Sequence, residues 1–307
     1  MKILVTGGAG YVGTPLTDLL CANPGVSQVM VYDNLSRPNF NLFIGAKKEG
    51  HEKLKFIKGE LLDTRRLRNA LKGVDVVYHL AARVTTPFAN TDAHLFDQVN
   101  NWGTAELVYA LEENPTVKKL IYSSSAGVYG SSTEPVDETF QPNPKSFYGI
   151  SKFRGEEHVR RLNGKTTSYI FRCGNVYGYN RSMRFDAVIN KFIFEANFEK
   201  RVTIHGDGEQ ARSFIHADVI AKALANALTS NLPGGTYNLV DKTYRVMDIV
   251  DELKQLIPEL EFILINQYMK LSELNIQRNE IVNNALGISE ESSLKNDLVE
   301  FINKFRF

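Results

Sequence analysis

The sequence predicts an α/β protein, a doubly wound parallel sheet with a smaller C-terminal α/β lobe. Three observations predict it. Short apolar runs alternate with amphipathic stretches through the first 172 residues. A glycine-rich turn joins the first run to the first amphipathic stretch, and an acidic residue ends the second run.

The elements follow in order. Ile3–Val5 reads as a strand and Tyr11–Cys21 as a helix. Gln28–Asp33 and Leu54–Ile57 are strands, with Asn39–Glu52 an insertion between them, and Thr64–Leu71 is a helix. Val74–His79 is continuously apolar, as a strand covered on both faces must be. A long amphipathic helix spans His94–Leu111. Strand Lys118–Ser123, helix Phe147–Leu162 and strand Ser168–Arg172 complete the alternation. Right-handed crossovers between parallel strands are the expected connection. From Cys173 the rhythm changes. A helix near Phe185–Ala196 and strand-like pieces at Val202–His205 and Thr236–Val240 suggest a second lobe. The division is therefore residues 1–172 and 173–307, with further chain crossovers after 172.

Composition narrows the function classes. A chain of 307 residues can bury a core without disulfide or metal staples. The formal net charge of +1 supplies no field to recruit nucleic acid or an anionic membrane. No apolar stretch reaches about 20 residues, so no membrane span is expected. MKILVTGG already reads as strand and turn, which leaves no room for a signal peptide. Cys21 and Cys173 form neither a disulfide framework nor a zinc pattern, so reduced thiols in a cytoplasmic protein, and no metal, are expected.

Thr6–Gly13 carries glycines at 7, 10 and 13. The first permits a tight turn, the second lets backbone approach a pyrophosphate, and the third lets helix and strand pack closely. The helix N-terminus then offers free N–H groups to the anion. A glycine triplet alone can be structural punctuation, but between strand and helix, where the mechanism needs it, this one reads as the phosphate-binding turn of a Rossmann sheet. Asp33 lies twenty residues beyond Gly13, where a carboxylate accepts from the adenosine ribose hydroxyls and repels a 2′-phosphate. NAD is therefore favoured over NADP, although nearby Arg37 could accept the phosphate. A cap on the following loop is the plainer role for Asp33.

Tyr148 and Lys152 are four residues apart at the start of a helix and share a face. A free phenol titrates near pH 10, and a neighbouring ammonium lowers that value toward a usable base. By chance the same spacing decorates many helix surfaces. Two further signals argue against that here. Tyr122–Gly130 places serines at the C-terminal end of a buried strand, where open α/β sheets hold ligands. His79–Arg83 ends the preceding strand with small residues that admit a flat ring, and Asn100 lies on the helix between.

In order and spacing, TGGAGYVG, Asp33, HLAARV, SSSAGVYG and YGISK resemble the extended short-chain dehydrogenase/reductase family, within its NAD-dependent nucleotide-sugar epimerase/dehydratase group. The likeness is greatest to the epimerases typified by UDP-glucose 4-epimerase. It extends through RCGNVYG at 172–178 and GDGEQARSF at 206–214. The resemblance implies Ser125 as the catalytic hydroxyl, Tyr148 as the base and Lys152 as its partner on the nicotinamide ribose. It implies a cofactor site of Gly7, Gly10, Tyr11, Val12, Gly13, Asp33, Asn34, Arg37, Glu60, Leu61, Leu80, Ala81, Ala82, Arg83, Asn100 and Ser123, with Tyr148 and Lys152. Thr85, Asn175, Arg184, Asn190 and Arg212, with Ser125 and Tyr148, would meet the nucleotide sugar. Arg212 suits a diphosphate because its guanidinium forks onto phosphate oxygens. An ion pair with Glu209 is the plainer reading, and Arg184 and Asn190 equally suit the polar face of a helix.

The chain departs from the family pattern in several places. Glu60 stands where an aspartate is usual, Tyr179–Asn180 replaces a proline, Trp102 replaces a smaller residue, and an Arg-Pro-Gly-Asp segment is missing. The serine run bears on the reaction. Related 4,6-dehydratases carry an Asp-Glu pair where this chain has Ala126 and Gly127, and neither of these can transfer a proton. The expected reaction is epimerisation. Tyr148 takes a proton from the hydroxyl at sugar carbon 4, hydride passes to NAD, the keto sugar turns, and hydride returns to the other face. A 4-dehydrogenase or reductase of the same fold is the alternative, and a non-catalytic NAD sensor a more distant one. UDP, GDP, dTDP and CDP sugars all remain open as partners. A homodimer through a four-helix interface is expected, with Leu107, Tyr109, Phe153 and Val159 as candidate contacts.

Overall fold

The structure is a computed structural model in which residues 1–37, 40–84, 92–266, 273–288 and 293–305 are described. Seven parallel strands form the larger sheet. They are β1 (Lys2–Thr6), β2 (Gln28–Asp33), β3 (Leu54–Lys58), β4 (Val76–His79), β5 (Lys119–Ser125), β7 (Thr167–Cys173) and β11 (Gly235–Leu239). Their spatial order is β3-β2-β1-β4-β5-β7-β11, every neighbouring pair parallel.

Alternation along each strand builds two cores. Ile3 and Val5 of β1, with Val29 and Val31 of β2, face one side; Leu4, Met30 and Tyr32 face the other. The first side is covered by α1 (Gly13–Ala22), α7 (Ala217–Asn226) and α9 (Glu280–Leu286). The second is covered by α2 (Thr64–Ala70), α4 (Gly103–Glu112) and α5 (Phe147–Arg160). Because both faces are buried at the centre of the sheet, β1 and β4 read as apolar runs, whereas the edge strand β3, with no fully buried residue, carries Lys55 and Lys58. Strand order reverses between β1 and β4, which opens a crevice beyond their C-terminal ends.

The smaller lobe is built around β10 (Ala211–His216). It pairs with β8 (Asn175–Tyr177), β12 (Lys242–Arg245) and β14 (Leu274–Ile276), and β14 pairs in turn with β6 (Ser132–Val136). Strands β9 (Arg201–His205) and β13 (Glu261–Ile265) form a separate parallel pair. Helices α6 (Val188–Phe198), α8 (Val246–Leu256) and α10 (Leu294–Lys304) bury their apolar stripes together here.

The chain passes between lobes. Strand β6 leaves the first half for the smaller sheet, and β11 returns to the larger one. Thr236–Val240, expected in the smaller lobe, is thus the edge of the main sheet. Leu239 belongs to the same core as β1, and Tyr237 packs against it. The expected helix His94–Leu111 is also revised. It comprises α3 (Ala93–Phe96), a wide π-helical stretch Asp97–Trp102, and α4. Such widenings collect at functional positions, and this one carries Asn100. Helix α6 starts at Val188 rather than Phe185, because Arg184 and Asp186 bond each other and Ala187 is extended. In the insertion, Phe43 packs edge-on against Phe56 at 4.9 Å. Just beyond it, Lys53 Nζ donates to the carbonyls of Cys21 and Asn23 at the end of α1. Leu107 and Val159 are fully buried in their own sheet's core, so neither can serve a dimer face.

Candidate active site

One cleft of ≈ 1610 Å³ runs from the glycine turn to the smaller lobe. A pocket for a single small ligand is typically about 300–1,000 Å³, so this one can take a dinucleotide and a second ligand end to end.

The glycine turn forms its floor. Gly7 sits at φ +73°, and a Cβ there would lie 2.5 Å from the amide nitrogen of Ala81. A Cβ on Gly13 would come within 2.3 Å of the Gly7 carbonyl oxygen, whereas one on Gly10 would meet only that oxygen, at 3.2 Å. Helix α1 has Val12 as its N-cap, with no side-chain cap. The Thr14 N–H is taken by the Gly10 carbonyl at 3.0 Å, so the Val12 and Gly13 N–H groups, unbonded among the described residues, are the ones left for an anion. The residues present therefore fit a dinucleotide pyrophosphate. Tyr11 and Val12 line the cleft beside this turn. The Tyr11 hydroxyl donates to the Gly178 carbonyl at 2.5 Å and accepts from Asn190 at 3.0 Å.

Asp33 ends β2 at the rim. Its oxygens accept from the N–H groups of Ala9 (3.1 Å) and Leu35 (2.9 Å), and burial raises its carboxyl above the usual range. Asn34 donates to Glu60 at 2.9 Å, and Leu61 is buried beside them. Arg37 approaches Asp186 at 3.7 Å, an ion pair between the β2 loop and the segment before α6. Leu80 to Arg83 line the opposite wall. Asn100 clamps Arg83, accepting from its N–H at 2.8 Å and donating to its carbonyl at 2.9 Å, and it also donates to the Ser151 hydroxyl at 3.0 Å.

Ser125, Tyr148 and Lys152 all line the cleft, and the Ser125 and Tyr148 side chains hydrogen-bond each other. Ser125 is the last residue of β5, and its Oγ accepts from the Gly127 N–H at 3.1 Å. Tyr148 lies in the first turn of α5, which Ser146 caps by accepting from Gly149 N–H at 3.0 Å. Burial raises the Tyr148 phenol, opposed by its hydrogen bond with Ser125 and by the positive Arg184. Burial lowers Lys152 to about 8. Ser123 Oγ lies 3.7 Å from Cys173 Sγ.

The expected substrate residues divide. The Arg212 side chain has no hydrogen bond or ion pair among the described residues, and burial lowers its guanidinium. Glu209, its plainer partner, pairs instead with Arg245 at 2.8 Å. Asn175 is exposed and donates to the Ser213 carbonyl at 3.1 Å. Arg184 is bonded to Asp186, and Asn190 is consumed internally by Tyr11, Gly178 and the Arg184 carbonyl. Thr85 lies outside the described residues.

Sequence reasoning missed Glu156, which is fully buried under the serine run. It accepts from Ser124 Oγ at 2.6 Å and from Arg172 at 3.0 and 2.8 Å. Its position four residues after Lys152 was the available signal. His79, quoted only within a motif, is buried between Thr6 (2.7 Å) and Thr104 (3.0 Å). Among the described residues no cluster could hold a metal ion, and no helix is long and apolar enough to cross a membrane.

Residues 3–239 match the model of the NAD dependent epimerase/dehydratase family. The putative UDP-glucose 4-epimerase of Methanocaldococcus jannaschii is 34% identical over 74% of this chain and 73% of its own. Human dTDP-D-glucose 4,6-dehydratase is 32% identical over 84% of this chain and 74% of its own. The crystal structure of UDP-glucuronic acid 4-epimerase from Bacillus cereus, in complex with UDP-glucuronic acid and NAD, superposes with a TM-score of 0.85. It shares 27% identity and covers 99% of this chain and 100% of its own.

Proposed function

Since the chain belongs to the NAD dependent epimerase/dehydratase family, we propose that it epimerises a nucleotide sugar at carbon 4. The observation that carries this reading is the convergence of Ser125, Tyr148 and Lys152 above a serine run that continues into Ala126 and Gly127. Ala126 and Gly127 have no side-chain proton to give. The loop therefore lacks the acid that removal of water needs, even though a dehydratase is among the relatives.

When bound, NAD supplies the acceptor and then the donor of hydride. Gly7, Gly10 and Gly13 admit its pyrophosphate, and Asp33 accepts from its ribose hydroxyls. Tyr148 takes the proton of the sugar hydroxyl and later returns it, and the Ser125 hydroxyl steadies that oxygen as its charge changes. The ammonium of Lys152 favours the phenolate and holds the nicotinamide ribose. Arg212 holds the sugar nucleotide's diphosphate. The relatives named for UDP-sugars make UDP the first nucleotide to test. We assign the protein to the cytoplasm, in keeping with its two free, buried cysteines, and read it as a homodimer whose α4 and α5 faces meet. Trp102, 52% exposed at the start of α4, Phe147, 43% exposed on α5, and half-buried Tyr109 are among the apolar groups available there. A monomeric mass by light scattering would remove the dimer.

Proton NMR of the purified protein with UDP-, GDP-, dTDP- and CDP-sugars, without added cofactor, tests the reaction. A new isomer formed over many turnovers is the expected result. A keto sugar formed only in proportion to enzyme would mean a dehydrogenase, and loss of water a dehydratase. Tyr148→Phe should keep NAD and lose turnover.

A further inference from the structure

Lys152 is 2% exposed, yet among the described residues it makes no ion pair. A buried ammonium without a carboxylate needs some other source of negative potential. Its Nζ stands over the ring of Tyr122, 4.2 Å from the centroid. The face of an aromatic ring carries that potential.

The surroundings fix this arrangement from three elements. On α5, Gly155 lies three residues after Lys152, on the same face. A Cβ there would fall 2.4 Å from the Tyr122 hydroxyl and 2.9 Å from the Asn100 carbonyl oxygen, so only glycine lets the helix ride this close. On β4, His79 stacks on Tyr122 at 5.4 Å with 26° between planes. Its protonation is set by its neighbours. Thr104 donates to the Asn100 carbonyl at 2.6 Å, so the Thr104 oxygen receives the Nε2–H of His79, and Nδ1 receives the Thr6 hydroxyl. That tautomer is neutral, so among the described residues Lys152 is the only cation on the ring. On α5 itself, Glu156 also faces Lys152, but it is shared between Arg172 and Arg160. The Cys173 thiol, raised to about 11 by burial, completes the titratable groups around the ammonium, with Tyr148 on α5 near the ring.

We infer that Tyr122 is a positioning residue for Lys152, its ring face keeping the buried ammonium charged and aimed into the cleft. The role belongs to the ring and not to the hydroxyl, whose bond to the Lys152 carbonyl is long at 3.4 Å.

The test reads Lys152 directly. Lysine labelled with 13C at Cε is incorporated into the NAD-bound protein, and the Lys152 signal is assigned by its loss in Lys152→Arg. In the wild type and in Tyr122→Phe, this signal should carry the upfield displacement of a group above an aromatic ring. In Tyr122→Leu the displacement should vanish, and the titration midpoint should fall by about half to one pH unit. Tyr122→Met, which refills the space without a ring, should behave like Tyr122→Leu and guards against a variant that fails to fold. An unchanged or raised midpoint in either folded variant overturns the assignment. A second consequence rests on the proposed function: the alkaline limb of turnover should move to lower pH in Tyr122→Leu. The NMR readout needs no turnover, so failure of that reading and failure of this one are separable.

Discussion

Arg172 and Glu156 form a bidentate pair inside the molecule, Nε to Oε1 at 3.0 Å and Nη2 to Oε2 at 2.8 Å, with side-chain exposures of 3% and 0%. The pair ties β7 to α5, and through Ser124 it also ties the end of β5 to the same helix. Breaking one partner of such a pair leaves a buried charge uncompensated and costs about 3–5 kcal/mol. Glu156→Gln should lower the free energy of unfolding by that order, read from denaturant titration. A loss below roughly 1 kcal/mol would mean that water or the Tyr129 ring, 4.7 Å from the guanidinium, relieves Arg172.

Gly7→Ala should abolish NAD binding. Its φ of +73° strains any other residue by about 1–3 kcal/mol. The added Cβ also falls 2.5 Å from the Ala81 nitrogen, forcing apart the two walls of the cofactor cleft. Calorimetric titration of the variant with NAD at wild-type affinity would count against the assignment of this turn.

Arg212 and Asn190 should separate binding from folding. Arg212→Leu removes a guanidinium with no described partner, so stability should hardly change. Affinity for UDP should fall about 10- to 100-fold, the worth of a charge-assisted contact. Asn190→Ala instead strips the bonds to Tyr11, Gly178 and Arg184, and should cost about 1–3 kcal/mol of stability. Thermal melts and UDP titrations on both variants check the contrast.

His79 should make the protein sensitive to mild acid. Burial, together with the nearby Lys152 charge, pushes its imidazole down to about 3. An unfolded histidine titrates near 6.5, so between these values the unfolded chain binds more protons. Stability should therefore fall as pH drops below about 6.5, by roughly 2 kcal/mol on reaching about pH 5. His79→Gln should flatten that part of the profile. An unchanged slope would assign the effect to another group.

Much of the larger lobe was legible because its signals are local. An apolar run flanked by turn residues, or a glycine at a fixed spacing, depends on neighbours a few residues away. So strands β1 to β5, the turn at Gly7 and the Tyr148–Lys152 face could be read directly. Strand β6 could not be read. Its segment Ser132–Val136 is polar and contains Pro135, and it becomes a strand only because β14 lies alongside. The same holds for β11, whose place beside β7 depends on where the chain returns after α7.

By itself the sequence determined the sheet, the glycine turn and the Tyr148–Lys152 helix face, because backbone sterics and helix periodicity fix these over short distances. Only the tertiary structure decided which polar side chains are free for ligand and which are consumed. Arg212 and Asn190 look alike as candidates in sequence. Tyr11, 179 positions earlier, bonds Asn190, whereas no described side chain hydrogen-bonds or ion-pairs with Arg212. Likewise the ring beneath Lys152 comes from a strand thirty residues earlier. A buried charge or amide is satisfied by whatever the fold brings within about 3–4 Å, and that choice is made by packing between distant segments.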